Sequence, residues 1–283
     1  MKEFGGKTAV ITGSGSGIGR GMAVVLARQG VRIVVSDIEE AAAAATVAAI
    51  EAAGGTALAV RTDVASLESV QALAQAARDA FGDVHILCNN AGVSQRRRGT
   101  DATHEDWVWM VGVNLWGVIH GIETFLPDML SSGQECHIVN TSSMNGIFPS
   151  GFSAMYSTTK YGILGLTDTL RNELQGTAVG ISALCPAGVL TRIMESERNR
   201  PASLTPSTPP PPHTPSSKFN LSPAREPEEV GDMVLQGIIQ NQLYIFTDMN
   251  VRPHIEDHHQ RMMEEFDRLA EWESRQGGAQ ATA

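Results

Sequence analysis

Long apolar runs are missing from this sequence. Nowhere do the roughly 20 successive uncharged apolar residues needed to cross a bilayer occur, and Met1 to Thr12 holds no apolar core of the signal-peptide kind. A cytoplasmic chain with no membrane partner is expected. Cysteine is scarce: Cys88, Cys136 and Cys185 are odd in number and widely spaced, each in or beside an apolar stretch with strand character. They read as buried free thiols rather than disulfides or metal ligands. Basic residues are in deficit, 21 Lys and Arg against 31 Asp and Glu for a net charge of −10. That balance disfavours a phosphate-tracking surface, so nucleic acid is not an expected partner. What remains is an ordinary globular composition, 42% hydrophobic and 18% charged over 283 residues, which excludes disorder of the whole chain.

Organisation follows from alternation. Short β-branched runs at Thr8 to Thr12, Arg32 to Ser36, Thr56 to Arg61, Ile86 to Asn89, His137 to Thr141 and Gly180 to Cys185 alternate with longer helical patterns. The helical patterns run Gly19 to Gln29, Glu39 to Ala53, Ser66 to Phe81, His104 to Ser131 and Ser153 to Gln175, with Gly30, Gly54 and Gly82 as stops. This is the signature of βαβ units feeding a parallel sheet covered by helices on both faces. Length leaves one large α/β domain or two small ones open. Pro201 to Pro227 holds most of the prolines and suits neither a helix nor an interior strand. Residues 192–227 read as a lid over the site or a flexible insertion. Beyond it, Glu228 to Gln240 is expected as a helix and Leu243 to Thr247 as a last strand. Residues 253–283 are expected as a terminal helix and tail, with a stripe from Ile255 through His259, Met262 and Phe266 to Leu269 that packs on the domain or another subunit.

The turn Gly13, Ser14, Gly15, Ser16, Gly17, Ile18, Gly19 lies between the first strand and the first helix. Backbone N–H groups and a helix N-terminus there suit a pyrophosphate. Asp37 closes the second strand, 18 residues after Gly19, where a carboxylate accepts hydrogen bonds from ribose hydroxyls and repels a 2′-phosphate. With no arginine or lysine beside Ser16 or Asp37, NAD is favoured over NADP. Asp63 and Val64, after the third strand, stand where an adenine edge would lie, although Asp63 also suits a helix cap.

Tyr156 and Lys160 are spaced i and i+4 and so share one helix face. A lysine ammonium nearby favours a tyrosine phenolate, which can take a hydroxyl proton near neutral pH. Taken with Gly13, Gly17 and Gly19, Asn89-Asn90-Ala91-Gly92, Asn114 and Thr141-Ser142-Ser143 in that order, the pair resembles the short-chain dehydrogenase/reductase family over about Lys7 to Thr191. The resemblance implies a single domain over residues 1–283 with a Rossmann-like α/β fold, a doubly wound parallel sheet of about seven strands with helices on both faces, assembled as a homodimer or homotetramer. It makes Tyr156 the acid/base, and Lys160 the residue that lowers its pKa and binds the nicotinamide ribose. Ser143, 13 residues before Tyr156, would orient the substrate oxygen, and Asn114 would hold a proton-relay water. It further implies that Asn90 and Gly92 shape the cofactor wall, with Pro186, Val189 and Thr191 beside the nicotinamide. Ala187 stands where the family has glycine, and Gly188 follows it.

The implied reaction is hydride transfer between a small-molecule secondary alcohol and NAD, or reduction of the ketone. Met144, Ile147, Phe148, Phe152 and Met194 are expected to line a bulky apolar pocket, and Arg96, Arg97 and Arg98 to form a solvated loop. The stretches Glu195 to Pro201, Pro227 to Asp232 and Leu243 to Thr247 resemble those of bacterial dehydrogenases that oxidise the benzylic alcohol of lignin-type β-aryl ethers. Related tails occur in dehydrogenases of hydroxysteroids and other bulky alcohols. Two further readings are a silent dinucleotide-sensing or scaffold protein and a metal-assisted enzyme using His254, His258 and His259.

Overall fold

The computed structural model describes residues 1–151, 153–206 and 222–280, the side chains of 277–280 excepted. Seven strands form one parallel sheet in the order β3-β2-β1-β4-β5-β6-β7. They are β1 (Thr8–Thr12), β2 (Arg32–Asp37), β3 (Ala57–Arg61), β4 (Ile86–Asn89), β5 (Cys136–Thr141), β6 (Val179–Cys185) and β7 (Tyr244–Phe246). The expected strands shift by no more than a residue at either end.

Both faces are buried because successive residues of each inner strand point to opposite sides. Ile11, Ile33, Val35, Ile86, Cys88, Val139 and Leu184 pack with residues of α1 (Gly17–Arg28), α2 (Glu40–Ala52) and α7 (Pro227–Gln240). Their neighbours Val10, Val34, Leu87, Ile138 and Ile181 pack on the other side. There the partners come from α3 (Leu67–Phe81), α5 (Gly117–Ser132) and the last turn of α6 (Ala154–Glu173). Gly30, Gly54 and Gly82 adopt positive φ where helices stop. The three cysteines are buried and free.

The long helix expected from His104 to Ser131 is broken. It runs as α4 (His104–Val111), a π-helical turn Gly112–Trp116, and α5. α4 begins with a capping box between Thr103 and Asp106. The π turn carries Asn114, whose amide accepts from Val93 N at 2.8 Å and donates to Val93 O at 2.9 Å. Such turns are frequent at functional sites.

The end of the chain departs further. α8 spans Arg252–Gln280, and its stripe does not pack on the domain: Phe266 is 64% exposed, and Met262, Leu269 and Trp272 are exposed as well. Its first turns meet the rest of the chain through His254 stacked on Phe148 and His258 Nε2 at 3.3 Å from the Tyr161 hydroxyl. Among the described residues no cluster of three or more His, Cys, Asp or Glu is placed to hold a metal, and no helix is long and apolar enough to cross a membrane. Of the Pro-rich stretch, 207–221 lies outside the described residues. Arg225 exchanges backbone hydrogen bonds with Gly188 and Leu190, returning the chain to the place it left after β6.

Candidate active site

A parallel sheet directs the carboxyl ends of its strands to one edge, and a crevice opens where the strand order reverses. Here the reversal lies between β1 and β4, and a cleft enclosing about 1070 Å³ of open space sits above it. Its floor is the glycine turn. Gly13 and Gly17 have φ of +66° and +53°, and a Cβ on Gly13 would stand 2.8 Å from the Ala91 Cα. A Cβ on Gly19 would lie 2.3 Å from the Gly13 carbonyl oxygen. Gly19 thus lets the turn close onto its own helix rather than facing the cleft, while Gly13, Ser16, Gly17 and Ile18 line it. The backbone is bare enough, and close enough to the N-terminus of α1, to fit a dinucleotide pyrophosphate.

Asp37 lines the same cleft at the end of β2. Its Oδ2 accepts from Gly15 N at 2.9 Å and its Oδ1 from Glu39 N at 3.0 Å, so the carboxylate is fixed between the glycine turn and the start of α2. Asp63 and Val64 also line the cleft. Asp63 does not cap α3, whose cap is Ser66, accepting from Ser69 N. Asn90 and Gly92 stand in the opposite wall, and Asn90 is anchored through its Nδ2 to Thr12 O at 3.0 Å.

Tyr156 and Lys160, on the first two turns of α6, both face the cleft, and Lys160 Nζ lies 5.5 Å from the centroid of the Tyr156 ring. Lys160 donates to Thr141 O at 2.7 Å, and burial lowers its pKa to about 7. The expectation that Lys160 brings the Tyr156 pKa down is not met in this geometry. Burial of the phenol raises it above the ordinary value, and the hydrogen bond with Ser143 only partly opposes that rise. Ser143 is thus at the phenol, while Ser142 lines the cleft and donates to Lys160 O at 2.8 Å.

The remaining candidates divide. Pro186 and Thr191 line the cleft, but Val189 packs against the core beneath α1 and α7. Asn114 stands behind the cleft wall, bonded to Val93 and, at 3.3 Å, to Thr159 Oγ1. The expected apolar pocket is misplaced. Phe148 stacks on His254, Ile147 packs near Leu164 and Cys185, and Met194 is exposed. Phe152 lies outside the described residues. The apolar wall is instead Ile38, Val93, Trp109, Val113 and Ile193. Trp109 and Val113 carried no special spacing in the sequence beyond a helical stripe.

The arginine run is also corrected. Arg96 and Arg98 are exposed, but Arg97 is buried and paired with the fully buried Asp106, which also pairs with Arg200. A buried guanidinium needs such a partner. The stretch after Thr191 contributes Arg192, Ser196, Arg198 and Asn199 to the cleft, which local sequence spacing does not reveal.

Comparison with known proteins agrees with this geometry. The C alpha-dehydrogenase of Sphingobium sp. strain SYK-6 is 34% identical over 99% of this chain and 92% of its own. The 1-deoxy-11-beta-hydroxypentalenate dehydrogenase of Streptomyces avermitilis is 31% identical over 88% of this chain and 87% of its own. A short chain dehydrogenase/reductase from Burkholderia phymatum, crystallised in complex with NAD, superposes with a TM-score of 0.87 at 37% identity, covering 94% of this chain and 97% of that one. The glycine turn, the Tyr156–Lys160 pair and strands β1 to β6 all fall within residues 7–202, the span matched by the short chain dehydrogenase family model, and the chain belongs to that family.

Proposed function

We propose that this chain is an NAD-dependent oxidoreductase that moves a hydride between a bulky, aromatic secondary alcohol and NAD. One observation carries the reading: Tyr156, Lys160 and Ser143 meet at the end of the same cleft whose other end holds the glycine turn and Asp37. Bound NAD supplies the hydride acceptor. The chain's own groups do the rest. Gly13, Ser16, Gly17 and Ile18 hold the pyrophosphate by backbone N–H groups, and Asp37 accepts from the adenosine ribose. The Ser143 hydroxyl orients the substrate oxygen, and Tyr156 Oη takes its proton. Lys160, anchored on Thr141 O and beside the Tyr156 ring, is placed to bind the nicotinamide ribose. Asn114 ties the π turn to the backbone of Val93, in the loop after β4, behind them.

The substrate class is supported by the apolar wall of Val93, Trp109, Val113 and Ile193 and by the near full-length match to the C alpha-dehydrogenase. The match to the pentalenate dehydrogenase favours testing alicyclic alcohols beside aryl ones. A homo-oligomer in the cytoplasm, with residues 192–206 and 222–227 forming part of a substrate lid on a single domain, completes the proposal. The test is NADH formation over aryl-glycerol β-aryl ethers, aryl carbinols, hydroxysteroids and polyols. Turnover concentrated on the aryl ethers is expected, and preference for small polyols overturns the substrate reading. Tyr156→Phe is expected to lower turnover by about 10²–10⁴ with NAD affinity kept. Near-normal turnover in that variant removes Tyr156 from the chemistry.

A further inference from the structure

The stretch after β6 crosses the mouth of the cleft as a strap. Arg192, Ile193, Ser196, Arg198 and Asn199 line the cleft together with the glycine turn, and the strap is tied on both sides. Toward the substrate end, Ser94 N donates to Ser196 Oγ at 3.1 Å and Gln95 Nε2 to Glu197 Oε1 at 2.5 Å. Toward the adenosine end, everything converges on Glu39. Its Oε1 accepts from Arg198 Nε at 2.8 Å and from Asn199 Nδ2 at 2.9 Å, with Arg198 Nη2 at 2.7 Å and Arg192 Nη1 at 3.8 Å from the carboxylate.

Glu39 stands at the N-cap of α2, where its carbonyl accepts from Ala42 and Ala43 N, but its carboxylate serves elsewhere. Its side chain makes no capping bond, and its own N–H is satisfied by Asp37. Its carboxylate instead reaches residues 159 and 160 positions away, from a point two residues beyond the carboxylate that faces the ribose site. The Asn199 amide, and after it the two arginines working against burial, hold the Glu39 carboxyl below its usual pKa and therefore charged. A part-exposed ion pair of this kind contributes little to global stability, but it joins the strap that lines the cleft to the start of α2.

We propose that Glu39 is the closing residue of a clasp over the dinucleotide cleft, whose bonds to Arg198 and Asn199 must open for the dinucleotide to enter or leave. Glu39 is then a positioning residue that sets how long the cofactor stays, and the inference rests on the NAD reading above. It is tested on the full chain by stopped-flow release of NADH from the wild type, Glu39→Ala, Arg198→Met, the double variant and Asp128→Ala, which breaks an ion pair between α3 and α5 remote from the cleft. Release is expected to quicken about tenfold in each single clasp variant, the factor set by losing one charge-assisted hydrogen bond. The double variant should be no faster than the singles, and Asp128→Ala unchanged. Without any dinucleotide, trypsin should cut the Glu39→Ala chain after Arg192 and Arg198 faster than the wild type. Unaltered release in both single variants, with NADH bound normally by the wild type, overturns the clasp and leaves the NAD reading standing. Failure of the wild type to bind NADH at all overturns both.

Discussion

Replacing Asp106 with Asn keeps the shape of the side chain and removes its charge where two guanidinium groups depend on it. Asp106 is fully buried, and the Arg97 and Arg200 side chains are 3% and 2% exposed. Burial alone would raise the Asp106 pKa. The Thr103 amide, then Arg200 and Arg97, more than reverse that and hold it below the usual value. Among the described residues Arg97 Nε and Nη2 and Arg200 Nη2 have no hydrogen-bond partner, so both cations lean on Asp106. The nearest other anion, Glu197, lies 3.5 Å from Arg200 but is itself half exposed. Removing one partner of a buried ion pair costs about 3–5 kcal/mol, and each kcal/mol lowers Tm by roughly 2–4 °C in chains approaching this size. Asp106→Asn should therefore melt about 6–20 °C lower, with an unchanged urea m-value and a reduced midpoint. Arg200 also lies over the Trp109 ring at 5.0 Å, so KM for the alcohol should rise more than kcat falls. A loss under about 1 kcal/mol would refute the claim that Asp106 compensates both cations. Replacing Arg97, Asp106 and Arg200 together by Leu, Leu and Met should recover much of the stability, because a well-packed apolar set carries no desolvation cost.

Two further outcomes follow from the same structure. Gly19→Ala forces a methyl group against the Gly13 carbonyl and should weaken NAD binding by at least about tenfold through displacement of the glycine turn, read by titration calorimetry. His137, buried on β5 with its Nε2 at 2.8 Å from Ser182 Oγ, has its pKa lowered to about 3 by burial, then by the charged N-terminus and Arg171. The unfolded chain takes up this proton near pH 6.5 and the folded chain does not, so stability falls as pH drops from 6.5 toward 3. In His137→Asn the slope of unfolding free energy between pH 6.5 and 4.5, above the carboxylate range, should flatten by close to one proton. An unchanged slope would place the acid sensitivity elsewhere.

How far the fold was legible depended on how local its causes are. The strands were readable because each inner strand buries both faces and so shows as a dense β-branched run, as in Arg32–Asp37. The helix stops at Gly30, Gly54 and Gly82 were readable because a positive φ leaves a glycine in the sequence. The break at Gly112–Trp116 left no such mark. Its cause is the fit of Asn114 to the Val93 backbone, a contact that no periodicity encodes. The terminal stripe is expected to be packed because an apolar helix face ordinarily finds a partner, but among the described residues its Met262, Phe266 and Leu269 stay exposed.

The site divides along the same line. Gly13, Gly17, Asp37, Tyr156 and Lys160 stand at ends of elements whose order fixes where they meet, so motif and position alone brought them to one cleft. The strap could not be found that way. Arg198 and Asn199 reach Glu39, and Arg200 reaches Asp106, only because the chain leaves β6 and crosses the cleft. Each of these residues has an ordinary local explanation: an acid at the start of a helix, an arginine in a loop, an aspartate in a capping box. Their joint use appears only when the ends of the strap are seen to land on residues that precede it by about 90 to 160 positions. Local spacing therefore shows where the dinucleotide and the reacting oxygen belong. What surrounds the cleft is written in long-range ion pairs, and the discrimination among alcohols and the pace of cofactor exchange proposed above would depend on them.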